Sequence, residues 1–212
     1  MKVLVATRSL HKLREIRGIL RPLEAIDLVG PASVGLAPDP AEEEIEVHDT
    51  FEANAGAKAR WFAERSGLPT LADDSGLEVD LLGGEPGVRS KRFAPDGDTL
   101  SGEDRDRANN EHLLERLGEA PLSERTARFV CVAVLTGPGI GTRVERGEAA
   151  GLILGRPRGW GGFGYDPLFH DSEAGRSFAE LSEAEKAERG HRGKAFRAMI
   201  PHLEALVAGG AG

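Results

Sequence analysis

Leu71-Ala72-Asp73-Asp74-Ser75-Gly76-Leu77-Glu78-Val79 sets two adjacent carboxylates at the end of an apolar run that begins after Leu68-Pro69. The run predicts a buried strand ending at the acids. Side chains alternate along a strand, so Asp73 and Asp74 point to opposite faces. One can meet a ligand while the other braces the backbone. Ser75-Gly76 adds a small donor and a residue free to take positive φ, which predicts a tight turn beside a ligand. Gly83-Gly84-Glu85-Pro86-Gly87 predicts a second turn, followed by Arg89, Lys91 and Arg92. Acids able to hold a hard cation near cations able to hold an anion suit metal-assisted phosphate chemistry. Taken alone, Asp-Asp-Ser-Gly reads only as a turn, so the flanking chain has to decide.

Composition narrows the classes. With 40% hydrophobic and 29% charged residues over 212 positions, the chain reads as globular, as one domain or two small ones, with a sizeable core. The 28 glycines cluster in a few turns and mark tight loops. A net charge of -8 argues against broad nucleic-acid or membrane-surface binding, which needs a positive footprint. Cys131 is the single cysteine and lies in an apolar run, so it reads as a core residue in a reducing compartment. The apolar part of Met1 to Arg8 is too short for a signal peptide. No run approaches the ~20 apolar residues of a membrane span. The expected location is the cytoplasm.

Outward from the central stretch, Lys2 to Ala6 predicts a buried strand and Leu10, Leu13, Ile16, Ile19 and Leu20 a helix capped by Ser9. Strand, polar turn and helix N-terminus form a geometry that holds phosphate. Lys12 in the first turn opposes the helix dipole unless an anion compensates it. Ala25 to Val29 predicts a second strand, Pro31 to Pro40 a loop, and Glu42 to Glu46 a solvated acidic run from which one member can still reach a metal. Thr50 caps a helix running to about Arg65, closed by Gly67 and Pro69; Lys58 on it reads as surface. A polar helix spans about Gly102 to Leu117. Thr126 to Leu135 and Arg143 to Leu154, the latter interrupted near Gly147 and Gly151, predict an antiparallel hairpin. Gly155 to Pro167 gathers Trp160, Phe163 and Tyr165 among glycines, an open loop able to stack a planar ligand on Phe163 or Trp160. Ser182 with Glu185 is a capping box. His191 and Arg192 lie between two glycines and suit presentation to a ligand. Pro201 predicts a kink or split in the last helix, and Ala208 to Gly212 a frayed tail.

Five segments in this order resemble one family. They are Thr7-Arg8-Ser9-Leu10-His11-Lys12, Thr50-Phe51-Glu52-Ala53-Asn54-Ala55 with Lys58, Ala72 to Leu77, Gly161 to Pro167, and Glu185-Lys186 with His191-Arg192-Gly193. The chain resembles the Ham1-like, or inosine triphosphatase-like, nucleoside triphosphate pyrophosphatases that clear non-standard purine nucleotides. The resemblance implies a single domain over 1-212, an α/β fold with an elongated mixed sheet flanked by helices, in two lobes around a central nucleotide-binding cleft, and a homodimer. It implies Mg²⁺-dependent hydrolysis of ITP, dITP and XTP to monophosphate and pyrophosphate, with one or more ions per subunit. By position, Asp74 is the catalytic carboxylate and a metal ligand, with Glu46 a second acid at the metal. Thr7, Arg8, Ser9, Leu10, His11, Lys12, Lys58 and Ser75 contact substrate. Phe163, Gly164, Tyr165, Asp166, Lys186, His191 and Arg192 line the nucleotide site. Ser9 stands where many members have Asn, and Lys91 where a small residue is common.

A triphosphate and a carboxylate base repel, so a cation bridging Asp74 or Glu46 to phosphate, with Lys12 and Lys58, resolves the charge problem. A donor from His191 or Arg192 suits O6 of hypoxanthine and xanthine and leaves the amine of adenine facing another donor. Guanine also carries O6, so a second donor facing C2 is expected, from the Phe163 loop backbone or an ordered water. The competing readings are a pyrophosphatase for modified pyrimidine nucleotides and a nucleotide-binding regulator without turnover.

Overall fold

The structure, a computed structural model, describes residues 1-209. In chain order its main elements are β1 (Lys2–Val5), α1 (Leu10–Ile19), β2 (Asp27–Val29), α2 (Phe51–Ser66), β3 (Thr70–Val79) and α3 (Gly102–Leu117). They continue with β4 (Thr126–Gly137), β5 (Ile140–Ile153), β6 (Phe169–Asp171), β7 (Arg176–Ser177), α4 (Glu183–Arg189) and α5 (His191–Gly209). The strands form one sheet in the order β2-β1-β3-β4-β5-β6-β7. β1 pairs parallel with β2 and with β3, in a register that sets Leu4 opposite Thr70 and Val5 opposite Leu71. β6 pairs antiparallel with β5 and β7. The sheet is therefore mixed and the class α/β. β4 and β5 are neighbours joined only by Pro138-Gly139, a link too short for anything but the antiparallel hairpin expected.

The helix ends follow local chemistry. Ser9 is extended and its side chain accepts from the Lys12 N–H, starting α1. Thr50 accepts from the Ala53 N–H, and Gly67 at φ 66 closes α2. Ser182 and Glu185 form the anticipated capping box of α4.

The chain divides into two compact units. One comprises Met1–Asp74, Cys131–Gly147 and the chain from His191 onward. Its core holds Val3, Leu4, Ile16, Leu71, Phe196 and Met199, all buried, with Cys131 also buried as expected. The other comprises Ser75–Val130 and Glu148–Gly190. Its core is built on the rings of Phe129, Phe169 and Phe178, with centroids 4.4 to 5.6 Å apart. Burying each such ring contributes about 1.5–3 kcal/mol.

Several expectations need correction. β3 does not end at the acids. Leu77 and Val79 are fully buried, so the apolar alternation carries the strand through Asp73-Asp74-Ser75-Gly76 to Val79. The turn comes later, at Gly83 and Gly84, where φ is positive. β5 is not broken at Gly147 or Gly151. A Cβ on Gly147 would lie 2.3 Å from the His191 carbonyl oxygen, and one on Gly151 2.5 Å from that of His170. These glycines permit close approach rather than a turn. α5 runs unbroken across Pro201, held by the buried Phe196, Met199 and Leu203. Leu10 is 73% exposed and is no core contact of α1. The second strand is shorter than expected, and two short 3₁₀ turns, Pro31–Val34 and Pro40–Glu44, occupy the proline-rich segment. Of the expected frayed tail, 208 and 209 are helical and 210-212 lie outside the described residues.

Candidate active site

In the first unit four elements bring ionisable groups together. β3 carries Asp73 and Asp74; α1 carries Lys12 and Glu15; α2 carries Asn54 and Lys58; the first turn of α5 carries Arg192. Glu46 precedes α2. Residues three or four apart share a helix face, which is why Lys12 and Glu15, and Asn54 and Lys58, act together.

Asp73 is 1% exposed. Its Oδ2 accepts from Lys12 Nζ at 3.1 Å and from Arg192 Nε at 3.4 Å. Arg192 is itself paired through Nη1 with Glu15. Burial pushes the Asp73 carboxyl upward, but Lys12 and Arg192 outweigh it and hold the group far below its ordinary value. Asp73 is thus held ionised between two cations, and Arg192 is buried rather than presented between its glycines. A guanidinium in that position is retained because two carboxylates face it.

Asp74 behaves oppositely. Burial pushes its pKa from 3.8 up to about 6; Glu46 adds to the rise, against Lys58, Lys12 and the hydrogen bond from Asn54. That bond runs from Asn54 Nδ2 to Asp74 Oδ2 at 3.1 Å. Lys58 and Glu46 form an ion pair. Burial pushes Glu46 up, yet Lys58 brings it below the ordinary range. Burial pushes Lys58 down, while Glu46, Asp73 and Asp74 together hold it above its usual value and charged. Lys58 is therefore no surface residue. Adjacent carboxylates on one strand have been driven apart in proton affinity, the pattern that separates a structural charge from a working base.

Beside this cluster Thr7 Oγ1 accepts from the Ser9 N–H at 3.1 Å, which shapes the turn into α1. Arg8 is directed elsewhere: it pairs with Glu42 and donates to the carbonyls of Leu36 and Ala37 at 2.7 and 2.8 Å. Leu10 and His11 are exposed, Ser75 follows Asp74 on β3, and His191 is half-buried at the start of α5.

The second unit holds the glycine-aromatic loop. Asp166, buried, accepts at Oδ2 from Lys186 Nζ at 2.6 Å and from the Phe163 N–H at 3.0 Å. Lys186 Nζ lies 5.6 Å from the Phe163 ring centroid. A Cβ on Gly162 would collide with Asp166 Oδ2 at 2.1 Å, so the loop requires glycine there. Gly164 is gripped by α3: its N–H donates to Asp106 at 2.7 Å and its carbonyl accepts from Asn110 at 2.9 Å. Tyr165 is buried and donates its hydroxyl to the Ser90 carbonyl at 2.8 Å; burial pushes the phenol far up. Trp160 is fully exposed and Phe163 partly so. Tyr165 is thus an anchor, and Phe163 and Trp160 are the flat faces on offer.

Sequence reasoning overlooked Glu15, Asn54, Asp106 and Asn110 as parts of these clusters. Helical spacing to Lys12 and Lys58 could have found the first two. Nothing local links α3 to a loop 54 residues away.

The class of protein is thus α/β, with two carboxylates split in proton affinity and ringed by cations in the first unit, an arrangement that suits phosphate chemistry, and a latched aromatic loop in the second. The chain belongs to the Ham1 family, whose model matches residues 3-202. Among similar proteins, a dITP/XTP pyrophosphatase of Thermus thermophilus is 46% identical over 200 residues, covering 94% of this chain and 90% of that protein. One from Frankia alni is 47% identical, covering 98% and 99%. Among solved structures, a HAM1 protein from Coxiella burnetii superposes with TM-score 0.82 at 35% identity, covering 97% of this chain and 99% of that one.

Proposed function

We propose that this protein hydrolyses ITP, dITP, XTP and dXTP to the nucleoside monophosphate and pyrophosphate, removing non-standard purines from the nucleotide pool. The observation that carries this reading is the setting of Asp74, a half-buried carboxylate raised by burial to about 6 next to ionised Asp73, with Lys12 and Lys58 beside it. A base poised near the working pH is what proton abstraction from water requires. A water oxygen attacks the α-phosphorus in line and gives its proton to Asp74. The bond from that phosphorus to the α,β-bridging oxygen breaks, and pyrophosphate leaves with the electron pair. Lys12, Lys58 and the N-terminus of α1 offset the charge of the polyphosphate; positioning and electrostatics supply most of such catalysis.

The donor set fits a divalent cation, which we take to be Mg²⁺, at one or more per subunit. Asp74 and Glu46 would hold it; Asp74 is raised first by burial and further by Glu46, and a cation would relieve both. Among the described residues no three His, Cys, Asp or Glu side chains form a closed cage. Mg²⁺ needs only one or two carboxylates, with water and substrate phosphate completing its shell. When bound, it supplies charge neutralisation at the phosphates.

Phe163 stacks the purine. His191 is the donor assigned to O6, because Arg192 is engaged by Asp73 and Glu15. The N–H groups of Phe163 and Gly164 already have protein acceptors, so we assign the second test, at C2, to an ordered water. Family resemblance supports a homodimer. A cytoplasmic home is proposed on the buried Cys131, the single cysteine of the sequence; among the described residues no helix is long and apolar enough to cross a membrane.

Pyrophosphate release from dITP, XTP, dGTP, dATP and dUTP in Mg²⁺ tests the reading. The expected order places dITP and XTP well above the rest. Equal kcat/KM for dITP and dGTP overturns the selectivity. Near-normal turnover by Asp74→Asn at saturating Mg²⁺ overturns the mechanism, and binding without release points to a regulator.

A further inference from the structure

The loop carrying Phe163 is fixed from one side by a helix that none of the five family-like segments includes. Asp106 and Asn110 are four residues apart on α3 and therefore on one face. Asp106 accepts the Gly164 N–H at 2.7 Å and Asn110 donates to the Gly164 carbonyl at 2.9 Å. One residue thus has both its backbone groups held by two side chains, one of them charged, which strengthens the bond it accepts. Gly164 sits at φ 62, a conformation accessible to glycine at little cost. The same helix continues the support: Asn109 accepts the Phe93 and Ala94 N–H groups at 3.0 and 2.9 Å. Its amide donates to the Lys91 carbonyl at 3.2 Å, next to the Ser90 carbonyl that anchors Tyr165.

We infer that Asp106 and Asn110 are positioning residues for base recognition: by gripping Gly164 they fix the plane of the Phe163 ring before any nucleotide arrives. The inference rests on the assignment of Phe163 to the base. A loop whose apex is preset loses little entropy on binding; a loop released from α3 loses more, and the loss falls on the base rather than the phosphates. The pair acts through Gly164 and Phe163, so its removal raises KM for nucleotides and leaves the cut itself alone.

Wild-type pyrophosphate release from dITP is measured first, which judges the proposed activity by itself. Asn110→Leu and Asp106→Ala are then compared with Asp106→Asn, which keeps an acceptor for the Gly164 N–H. We expect KM for dITP to rise about tenfold in the first two, with kcat within about threefold and Asp106→Asn close to wild type. Inhibition by inorganic tripolyphosphate, which has no base, is expected to be unchanged. Wild-type KM in folded Asn110→Leu and Asp106→Ala overturns the inference, as does an equal weakening of tripolyphosphate. If those variants do not fold, amide exchange in the wild type decides. A Gly164 N–H slowed at least about a hundredfold supports the grip, and one exchanging at the rate of an open loop refutes it.

Discussion

Asn54 and Asp74 are joined by a 3.1 Å hydrogen bond in which the amide of one donates to Oδ2 of the other. The same amide closes the turn before α2, accepting from the His48 N–H at 2.9 Å and donating to the His48 carbonyl at 3.2 Å. Asn54→Ala removes three part-buried hydrogen bonds, each contributing about 0.5–1.5 kcal/mol net, and removes one of the influences that lower Asp74. The unfolding free energy measured in urea is expected to fall accordingly. The acid limb of the kcat/KM profile is expected to move to higher pH. An unchanged acid limb in a folded variant would show that the bond does not reach the working carboxylate.

Asp74 itself gives a pH prediction whose sign differs from that of ordinary carboxylates. Its folded value, about 6, lies above its ordinary 3.8. Its contribution to stability is therefore complete below about pH 4 and is lost as pH rises through about 6. Asp74→Asn removes the penalty. In a chelator the variant is expected to melt above wild type at neutral pH, the advantage vanishing near pH 4. Mg²⁺ is expected to raise the wild-type melting temperature and to act weakly on the variant. Melts with and without the cation at three pH values check both. Wild-type activity before cation saturation is expected to climb through about pH 6.

The elements closest to the site were legible because their signals are local. Ser9 and Thr50 cap α1 and α2 as their side chains demand, and the acidic pair, the lysines and the aromatic loop could be placed on elements from spacing alone. The course of β3 was not. Asp-Asp-Ser-Gly is turn chemistry in isolation, and only the burial of Leu77 and Val79 between sheet neighbours overrides it. Arg192 was misread for a related reason. Two flanking glycines suggest exposure, whereas its burial is set by Glu15 and Asp73, 177 and 119 residues away. Local propensity cannot report a charge supplied from across the sequence.

That dependence makes Arg192 the sharpest stability test of the acidic cluster. Removing one partner of a buried ion pair leaves an uncompensated charge and costs about 3–5 kcal/mol. Arg192→Met leaves Asp73 with Lys12 and takes the guanidinium from Glu15, so a loss at the lower end of that range is expected by denaturant unfolding. Arg192→Lys is expected to recover only part, because one ammonium replaces a fork that meets two carboxylates. Combining Arg192→Met with Asp73→Asn is expected to cost less than the sum of the two changes. Additive losses would mean that the two groups do not stabilise one another.

The start of α5, and hence Arg192, is also held by backbone approach. A Cβ on Gly147 of β5 would stand 2.3 Å from the His191 carbonyl oxygen and 2.4 Å from the Ala195 nitrogen. Both obstacles are main chain, so neither can rotate away. Gly147→Ala must push β5 from the first turn of α5 and is expected to destabilise the protein by about 3 kcal/mol. Gly18, on the exposed face of α1 with nothing within 4 Å of its would-be Cβ, is the control; Gly18→Ala is expected to stabilise by about 0.5–1 kcal/mol. Because His191 immediately precedes Arg192, the displacement at Gly147 is also expected to loosen Asp73 and to lower kcat well below the melting temperature. Gly18→Ala is expected to leave kcat unchanged. Chemical denaturation and turnover measured on the same two proteins separate a tight contact that merely stabilises the fold from one that also sets the carboxylates in place.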